Sequence, residues 1–381
     1  MDQILQEIMR LRRELHQHPE LSMQEKETKE RLITFLSEHT SVKIIDKGNW
    51  FYCVAGEEKT GAKIAFRAEL DALPIQEECT LPYVSDKAGV SHACGHDGHA
   101  ACLCGLAMML EEAPVSRPVY LIFQPGEEIG AGGAVCARFV KEEGIEEIYA
   151  FHNLPGYPEG NIVYREGLTQ PASEGLKIRF LGKASHASEP ETGRNPSETI
   201  AKTILYIKEL LEKPTEGMVL CTIVGIRAGS EDYGISAGQG ELDLTLRAEV
   251  EKEMYAFETN LLSFVKRQGR EEGLHIIWKR SDVFPETRNH GQQLDKVRQA
   301  AQILCKPCVE MDHLWRASED FGYYTKEIPG AMYYIGAGEG HAPLHTVPYD
   351  FPDQILETGI RMFYELSRMD DPSRRDHSII R

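Results

Sequence analysis

Four short apolar segments of this 381-residue chain are followed, directly or after a short loop, by side chains of the types that bind metals or transfer protons. The segments and the residues that follow them are IAF with Arg67, Glu69 and Asp71; VYLIF with Gln124, Glu127 and Glu128; IYAF with His152 and Asn153; and MYYIG with His341 and His345. In open α/β sheets, ligands bind beyond the carboxyl ends of the strands. The sequence therefore predicts that these residues converge on one cleft at the edge of a sheet.

The order of the apolar segments predicts an α/β fold. Runs such as PVYLIFQPGEE alternate with helix-periodic segments such as HAACLCGLAMMLEEA, which is typical of a mainly parallel sheet flanked by helices. From about Ser173 the order becomes strand, helix, strand, strand, helix, strand, as in a ferredoxin-like unit. The first pattern then returns, so we expect a metal-binding catalytic domain over residues 1–172 and 288–381, with an inserted domain over 173–287.

Two local patterns make predictions about the start of a helix and about the last residues of the sequence. Ser22, followed three residues later by Glu25, is typical of a capping box at the start of a helix. The polar segment DDPSRRDHSIIR at the end of the sequence is expected to fray.

Charge and composition exclude several classes of partner. Lys and Arg number 42 against 60 Asp and Glu, a net charge of −18, so we expect neither nucleic acid nor an anionic membrane as a partner. No run of about 18 apolar residues occurs, and the first residues are charged and helix-periodic, unlike a signal peptide. The nine cysteines are irregularly spaced, which favours free thiols over a disulfide framework. These features predict a soluble cytoplasmic protein.

The stretch HACGHDGHAA is the densest group of metal-binding residue types in the chain. Cys94 and His96 lie two residues apart, so in an extended or turning segment both side chains can face one side. Asp97 is placed to hydrogen-bond the ring of a ligand histidine. His99 falls in the first turn of the predicted helix, where capping or packing is favoured over ligation, and His92 has no clear function.

The neighbours Glu127 and Glu128 follow a Pro125-Gly126 turn, which lets the two carboxylates aim at different targets. One of them can bind a metal while the other acts as a general base on water beside it. Asp71 is a candidate for orienting a ligand histidine. Thiolate, imidazole and carboxylate together suit zinc or a neighbouring transition metal better than magnesium or calcium.

Taken in order, the motifs RRELHQHPELSMQEKET, RAELDALP, HACGHDGHAA, FQPGEE, FHNLP, GKASHASEP, SEDF and PLHTVPYDF span nearly the whole chain. In these motifs the chain resembles the zinc-dependent amidohydrolases that include hippurate hydrolase, auxin-conjugate hydrolases and N-acetyldiaminopimelate deacetylase, with aminoacylase and carboxypeptidase G as more distant relatives. The resemblance implies a catalytic α/β domain with an inserted lid that forms a homodimer.

By position, the resemblance also implies a site with two divalent metal ions, zinc foremost, with manganese, nickel or cobalt as alternatives. The implied ligands are Cys94, His96, Glu128, His152 and His345, and the implied general base is Glu127. His186 of GKASHAS matches a lid histidine that enters the partner subunit's active site in dimeric relatives. Arg247 of LDLTLRAE matches an arginine that binds the substrate carboxylate in some relatives.

The implied reaction is metal-assisted hydrolysis of the amide bond of an N-acyl amino acid. The metals polarise the scissile carbonyl and activate a bridging water, and Glu127 takes its proton and passes it to the leaving amine. His186 steadies the developing oxyanion. Candidates for contacting the acyl side of the substrate, each explained equally well by packing, are Asn153, Tyr157, Gln170 and Trp315–Phe321.

The sequence departs from the family pattern at two positions. Glu69 stands where the motif usually has aspartate, and its extra methylene is expected to push a carboxylate further into the cleft. In YGISAG, Gly234 begins the stretch that commonly reads Asn-Val-Ile-Pro in the family, so a polar side chain is lost. Both departures bear on the substrate more than on the hydrolytic chemistry.

Three alternatives stay open at this point. A catalytically silent relative would bind metal or a small ligand without turnover, although it would have no need of a base at Glu127. A dipeptidase or carboxypeptidase would use the same site on an aminoacyl group. The pair Cys305 and Cys308, in the spacing Cys-x-x-Cys, would be a redox centre, although the motif follows a predicted helix and stands alone.

Overall fold

The computed structural model describes residues 1–56 and 61–370. The polar tail predicted to fray lies outside these residues from position 371 onward. The helices are α1 (Asp2–Gln17), α2 (Lys26–His39), α3 (His96–Glu112), α4 (Gly133–Glu142), α5 (Ser197–Leu211), α6 (Glu251–Glu271), α7 (Gly291–Ile303), α8 (Gly322–Glu327) and α9 (Leu356–Arg368). The strands are β1 (Lys43–Asp46), β2 (Phe51–Ala55), β3 (Ile64–Glu69), β4 (Val119–Gln124), β5 (Glu147–Leu154), β6 (Ile162–Tyr164), β7 (Leu168–Gln170), β8 (Ala172–Leu181), β9 (Ser185–His186), β10 (Val219–Ala228), β11 (Ile235–Ser236), β12 (Gln239–Ala248), β13 (His275–Phe284), β14 (Thr287–Arg288), β15 (Cys308–Glu310) and β16 (Gly330–Gly336).

The first unit comprises Met1–Thr169, Thr287–Leu314 and the chain from Glu319 onward, and it is built on an eight-stranded sheet. The strand order is β1-β2-β4-β3-β5-β16-β6-β15. The four central strands β4, β3, β5 and β16 are parallel neighbours, which confirms the predicted α/β fold with a mainly parallel sheet. Antiparallel pairs are confined to β1-β2, β2-β4 and β16-β6 nearer the edges.

Helices cover both faces of this sheet, so its central strands are buried along their whole length. Successive residues of β3 show the two faces: Phe66 joins the core formed with α1, α3 and α9, and Ala65 joins the core formed with α4 and α8. Side chains of a strand alternate between faces. This two-sided burial explains why the central strands read as continuous apolar runs.

The second unit comprises Gln170–Glu286 together with Trp315–Ser318. Its sheet has the order β10-β12-β8-β13, and all neighbours are antiparallel. Leu176, Ile178 and Phe180 of β8 face α5 and α6, whereas Lys177 and Arg179 are exposed on the other face. The succession β8, α5, β10, β12, α6, β13 is that of a ferredoxin-like unit. The roles of this unit as a lid and in dimerisation stay predictions.

The start of α2 differs from the predicted capping box. Neither Ser22 nor Glu25 makes a side-chain cap for α2, and the carboxylate of Glu20 instead accepts the N–H of Thr28 at 2.8 Å. Met23 has a left-handed backbone with φ of 65°. With this local reversal, the side chains of Ser22 and Glu25 contact Asp71 and Gly126 rather than the start of the helix.

Candidate metal centre

The ends of three central strands and two loops bring the predicted ligands together within the first unit. Glu128 follows β4, His152 lies near the end of β5, and His345 lies in the loop after β16. Cys94 precedes α3, and His96 is the first residue of that helix. The convergence predicted from the strand ends is therefore present in the structure.

Five side chains of this cluster approach one another at distances suited to metal ligation. The sulfur of Cys94 lies 3.3 Å from Nε2 of His152 and 3.4 Å from Nε2 of His345. Oε1 of Glu128 lies 3.5 Å from the same nitrogen of His345 and 3.8 Å from Nε2 of His96. Ligand atoms around one tetrahedral ion with bonds of about 2.0–2.3 Å are separated by about 3.3–3.8 Å.

The ligand atoms form overlapping groups that share members. Cys94 belongs to one triad with His96 and His152, and to a second triad with Glu128 and His345; within each triad the ligand atoms lie within 4.8 Å of one another. A third group joins His96 to Glu127 and Glu128. Overlapping triads of this kind fit two adjacent ions better than a single one.

Two histidines are oriented by hydrogen bonds from Nδ1 to main-chain carbonyls. In His96 the acceptor is the carbonyl of Asp71 at 2.9 Å, and in His152 it is the carbonyl of Asn153 at 2.7 Å. Each bond favours the tautomer that leaves the Nε2 lone pair facing the cluster, which is the arrangement that metal-binding histidines commonly have. Nε2 of His96 and Oε1 of Glu128 are buried and make no hydrogen bond within the described part of the chain.

Backbone conformations that the sequence does not reveal shape the cluster. Gly95 has φ of 104°, and a side chain there would collide with Asn153 Oδ1 at 2.3 Å, so glycine is required between Cys94 and His96. His345 also has a left-handed backbone, with φ of 60°. Its N–H donates to the carbonyl of Ala93 at 2.7 Å, which ties the loop after β16 to the Cys94 segment.

Asp71 links His96 to the backbone of the Glu128 turn. Its Oδ1 lies 3.3 Å from Nδ1 of His96. Its Oδ2 accepts the N–H of Glu128 at 2.9 Å and the hydroxyl of Ser22 at 2.7 Å. Although Asp71 is buried, the hydrogen bond from His96 lowers its pKa.

Glu127 lies beside the ligand cluster and is almost fully buried. Its Oε2 is 3.8 Å from Nε2 of His96, and its carboxylate also lies near those of Glu319 and Asp320. Burial, together with the charges of Glu319 and Glu128, raises the pKa of Glu127 well above its ordinary value. A carboxylate with a raised pKa holds a proton more readily, which is what a general base needs.

A buried arginine organises the carboxylates on that side of the site. Arg67 contacts Glu69, donates to Glu319 at 2.9 Å and to Gln124 at 3.0 Å, and contacts Asp320. The charges of these carboxylates outweigh burial and raise the pKa of Arg67. The carboxylate of Glu69 is fully buried, contacts Arg67 and lies 3.0 Å from Nδ1 of His99. One of its oxygens is also within 4.8 Å of a ring nitrogen of His96, and the expectation that its extra methylene brings a carboxylate further into the cleft stays a prediction.

The other residues of HACGHDGHAA are buried outside the ligand cluster. Asp97 does not bond a ligand ring as predicted: Nδ1 of His16 lies 2.8 Å from its Oδ2, and Arg12 lies 3.5 Å away. Helix α3 begins at His96, so the side chain of Asp97 points toward α1 rather than toward the cluster. Both ring nitrogens of His92 are buried without a hydrogen bond to any described residue.

Asn153 and His99 form a buried pair behind the ligands. Nε2 of His99 lies 2.8 Å from Oδ1 of Asn153, and the side-chain amide of Asn153 donates to the hydroxyl of Tyr349 at 2.6 Å. The polar groups of Asn153 are thus used within the protein, so contact with a substrate stays a prediction. His341 likewise bonds locally, with Nδ1 3.0 Å from the carbonyl of Ala342.

The remaining predicted residues lie in the second unit. His186 is exposed in β9, with Nδ1 2.7 Å from the hydroxyl of Ser188. Ile235 lies opposite His186 in the β9-β11 pair, and the carbonyl of the preceding residue, Gly234, accepts the N–H of Ala187 at 2.9 Å. Arg247 of β12 contacts the carbonyl of Arg316, and burial lowers its pKa.

The donor set agrees with divalent metal binding. In the protein alone, burial and the charges of Glu128 and Glu127 raise the pKa of the Cys94 thiol, a cost that a bound cation would remove. Burial lowers the pKa of His152 well below its ordinary value and keeps it in the neutral form that binds metals. The fold and this cluster define the class: an α/β metallohydrolase with its site at the carboxyl ends of parallel strands.

Comparison with known proteins identifies the family. The sequence profile of peptidase family M20/M25/M40 matches residues 65–369. The chain therefore belongs to this family, which confirms the predicted relationship.

Similar proteins and structures cover nearly the whole chain. N-acetylcysteine deacetylase of Bacillus subtilis strain 168 is 30% identical over 367 residues, which cover 94% of this chain and 96% of that protein. N-acetyldiaminopimelate deacetylase of Lactobacillus helveticus is 27% identical, over 93% of this chain and 95% of that protein.

Solved structures are similar over the same extent. The crystal structure of the Bacillus subtilis YXEP protein, a dinuclear metal binding peptidase from the M20 family, has a TM-score of 0.80 at 28% identity, and the match covers 97% of this chain and 99% of that one. That of a putative aminohydrolase from methicillin resistant Staphylococcus aureus has a TM-score of 0.88 at 24% identity, with 97% of both chains covered.

Proposed function

We propose that this protein is a two-metal amidohydrolase that cleaves the amide bond of N-acyl amino acids to a carboxylic acid and a free amino acid. The observation that carries the proposal is the cluster of Cys94, His96, Glu128, His152 and His345, with a separate buried carboxylate, Glu127, 3.8 Å from His96. A metal-binding protein without turnover would need the ligands but not this second carboxylate. The deacetylases among its relatives support the substrate class.

The geometry supports a division of roles among these residues. When bound, divalent ions supply Lewis-acid polarisation of the amide carbonyl and activation of water. Glu127 accepts a proton from the attacking water and returns it to the leaving nitrogen. Asp71 and the carbonyl of Asn153 hold His96 and His152 in the tautomers that ligation requires.

Two further residue roles and an oligomeric state belong to the proposal by family resemblance. His186, from a partner subunit, stabilises the developing oxyanion, and Arg247 binds the substrate carboxylate. The exposure of His186 supports its availability to another molecule. The functional form is then a homodimer joined through the second unit.

Zinc is the proposed metal, with manganese, nickel and cobalt as alternatives, because a thiolate and imidazoles dominate the donor set. The nine cysteines are free thiols, which supports the proposed location in the reducing cytoplasm. Among the described residues, no helix combines the length and apolar character needed to cross a membrane.

A substrate screen on metal-reconstituted protein tests the proposal. N-acetyl and N-benzoyl amino acids are compared with dipeptides of the same amino acids, each with zinc, manganese, cobalt or nickel, and the released free amino acid is measured. We expect the N-acyl compounds to be cleaved. Preferential cleavage of dipeptides would identify a dipeptidase instead, and no cleavage with any metal would contradict the enzymatic proposal.

A further inference from the structure

The loop between α1 and α2 reaches the turn that carries Glu127 and Glu128. Glu25, at the end of this loop, has 5% of its surface exposed. Its Oε1 accepts the N–H of Gly126 at 2.7 Å. The bond joins residues 101 positions apart in the chain. The carboxylate is not needed to cap α2, because Glu20 already accepts the N–H of Thr28.

The turn itself has little freedom at the bonded position. Gly126 has φ of 62°, and a side chain there would meet the sulfur of Met23 at 2.7 Å. Met23, whose own φ is 65°, therefore packs directly over the glycine. The left-handed backbone of Gly126 sets the direction in which the chain enters Glu127, and the N–H bonded to Glu25 belongs to this glycine.

The loop holds the turn at two points. Glu25 accepts the N–H of Gly126, and Ser22 donates to the Asp71 carboxylate that accepts the N–H of Glu128 at 2.9 Å. Glu127 lies between these two anchored peptide groups. Neighbouring carboxylates repel each other. A backbone fixed on both sides therefore helps to hold Glu127 and Glu128 in place beside Nε2 of His96, which lies 3.8 Å from each of them.

We propose that Glu25 is a positioning residue of the active site, which acts through its hydrogen bond to Gly126 to hold the backbone that orients Glu127 and Glu128. The inference rests on the proposed function and deepens it, because it assigns part of the site to a loop outside the ligand motifs. Residues that orient metal ligands from behind commonly change metal affinity or activity by about 10- to 100-fold when they are replaced.

Three substitutions of Glu25 separate the acceptor from the charge. Glu25→Ala removes the acceptor, and Glu25→Asp keeps the charge but shortens the side chain by one methylene, so that it no longer reaches Gly126. Glu25→Gln removes the charge but keeps an oxygen that accepts the same N–H. Glu30→Ala, an exposed carboxylate on α2, is the matched control.

Each variant is loaded with cobalt, and its visible spectrum, its cobalt dissociation constant and its kcat and KM are compared with those of the wild type. For the Ala and Asp variants we expect an altered spectrum, cobalt binding weakened by about tenfold or more, and kcat lowered by a similar factor with little change in KM. The Gln and Glu30→Ala variants should resemble the wild type.

The ranking of the variants decides the proposal. Wild-type spectra and kcat in Glu25→Ala and Glu25→Asp would overturn it, and so would a Gln variant as impaired as the Asp variant. If the Ala variant does not fold, the comparison of Asp with Gln still decides. If the wild type hydrolyses none of the substrates screened, the cobalt spectra and dissociation constants test the positioning role independently of the proposed reaction.

Discussion

Glu127 and Glu128 are adjacent in the chain, yet their surroundings differ. Glu128 faces His96 and His345, both of which offer Nε2. Glu127 faces His96 on one side and the acidic pair Glu319 and Asp320 on the other. The two carboxylates thus share His96 and differ in their other neighbours, which gives Glu128 the surroundings expected of a metal ligand and Glu127 those expected of a proton acceptor.

Replacing the proposed base should remove turnover without removing metal. For Glu127→Gln we expect kcat to fall by about 10²- to 10⁴-fold, because the amide cannot accept a proton from water. Metal content, measured by mass spectrometry of the purified protein, should match that of the wild type. Glu128→Gln is the paired variant and should lose metal; the opposite pattern would exchange the roles assigned to the two glutamates.

At this scale, residue types and spacing were enough to name the side chains that converge, since Cys94, His96 and His152 follow recognisable motifs. The contacts of Ser22, Glu25 and Asp97 were not predictable. Each depends on a partner about 50 to 100 residues away, or on a left-handed residue such as Met23, and local patterns describe neither. The spacing of Ser22 and Glu25 fits a helix cap equally well. Only the fold shows that the two side chains contact Asp71 and Gly126 instead.

Among the elements, the second unit buries a carboxylate at an unfavourable position. Glu174 of β8 faces α6 and β13, where its charged neighbours are Glu258 and Arg280. Neither of its oxygens makes a hydrogen bond to a described residue. Arg280 instead binds Glu258 at 2.7 Å through Nε. Burial and the charge of Glu258 raise the pKa of Glu174 to about 7.

This raised pKa predicts how stability depends on pH. Between about pH 4.5 and 7 the folded protein keeps a proton on Glu174 that the unfolded chain has lost, so the free energy of unfolding falls as pH rises through this range. Glu174→Gln cannot ionise, and it should stabilise the protein at pH 8 by on the order of 1–3 kcal/mol while changing little at pH 4.5.

Urea unfolding of wild type and variant at the two pH values measures the difference. Glu209→Gln, an exposed glutamate on α5, is the control and should have no effect at either pH. An equal effect of Glu174→Gln at both pH values would contradict the predicted ionisation.

Element type and order were largely predictable, because the central strands are continuous apolar runs and the helices are long and periodic. The edge strands of the first sheet were harder to predict. Strands β6 and β15 have three residues each, too few for a periodic pattern, and the antiparallel pairing of β6 with β16 depends on tertiary contacts alone. The predicted boundaries of the inserted domain, at 173 and 287, stay a prediction beside the observed unit Gln170–Glu286.

For the whole molecule, metal binding should contribute to stability. The buried Nε2 of His96 and Oε1 of Glu128 have no hydrogen bond within the described residues, and unsatisfied buried groups are costly until they are bound. A ligand at about 100 times its dissociation constant stabilises the folded state by about 2.7 kcal/mol. Chelation should therefore lower the melting temperature seen by calorimetry, and zinc should restore it. An unchanged melting temperature after complete metal removal would contradict a cluster that binds metal in the folded protein.

The proposed dimer makes a prediction about complementation between subunits. A chain with Glu127→Gln and a chain with His186→Ala should each form inactive homodimers. If His186 acts in the partner's site, a mixed dimer purified through two different tags contains one complete site and should have about half of the wild-type activity. A mixed dimer as inactive as its parents would show that His186 does not act across the interface.

His345 differs from the other proposed ligands in its access to solvent. Half of its side-chain surface is exposed, against 10% for Glu128 and none for His96. Water therefore reaches His345 more easily than it reaches the other proposed ligands. This difference should affect how fast a bound ion exchanges with solution. We therefore expect release of a bound ion to begin with the ring of His345 turning outward while the buried side chains still hold the ion, so that this loop residue governs the residence time of the metal.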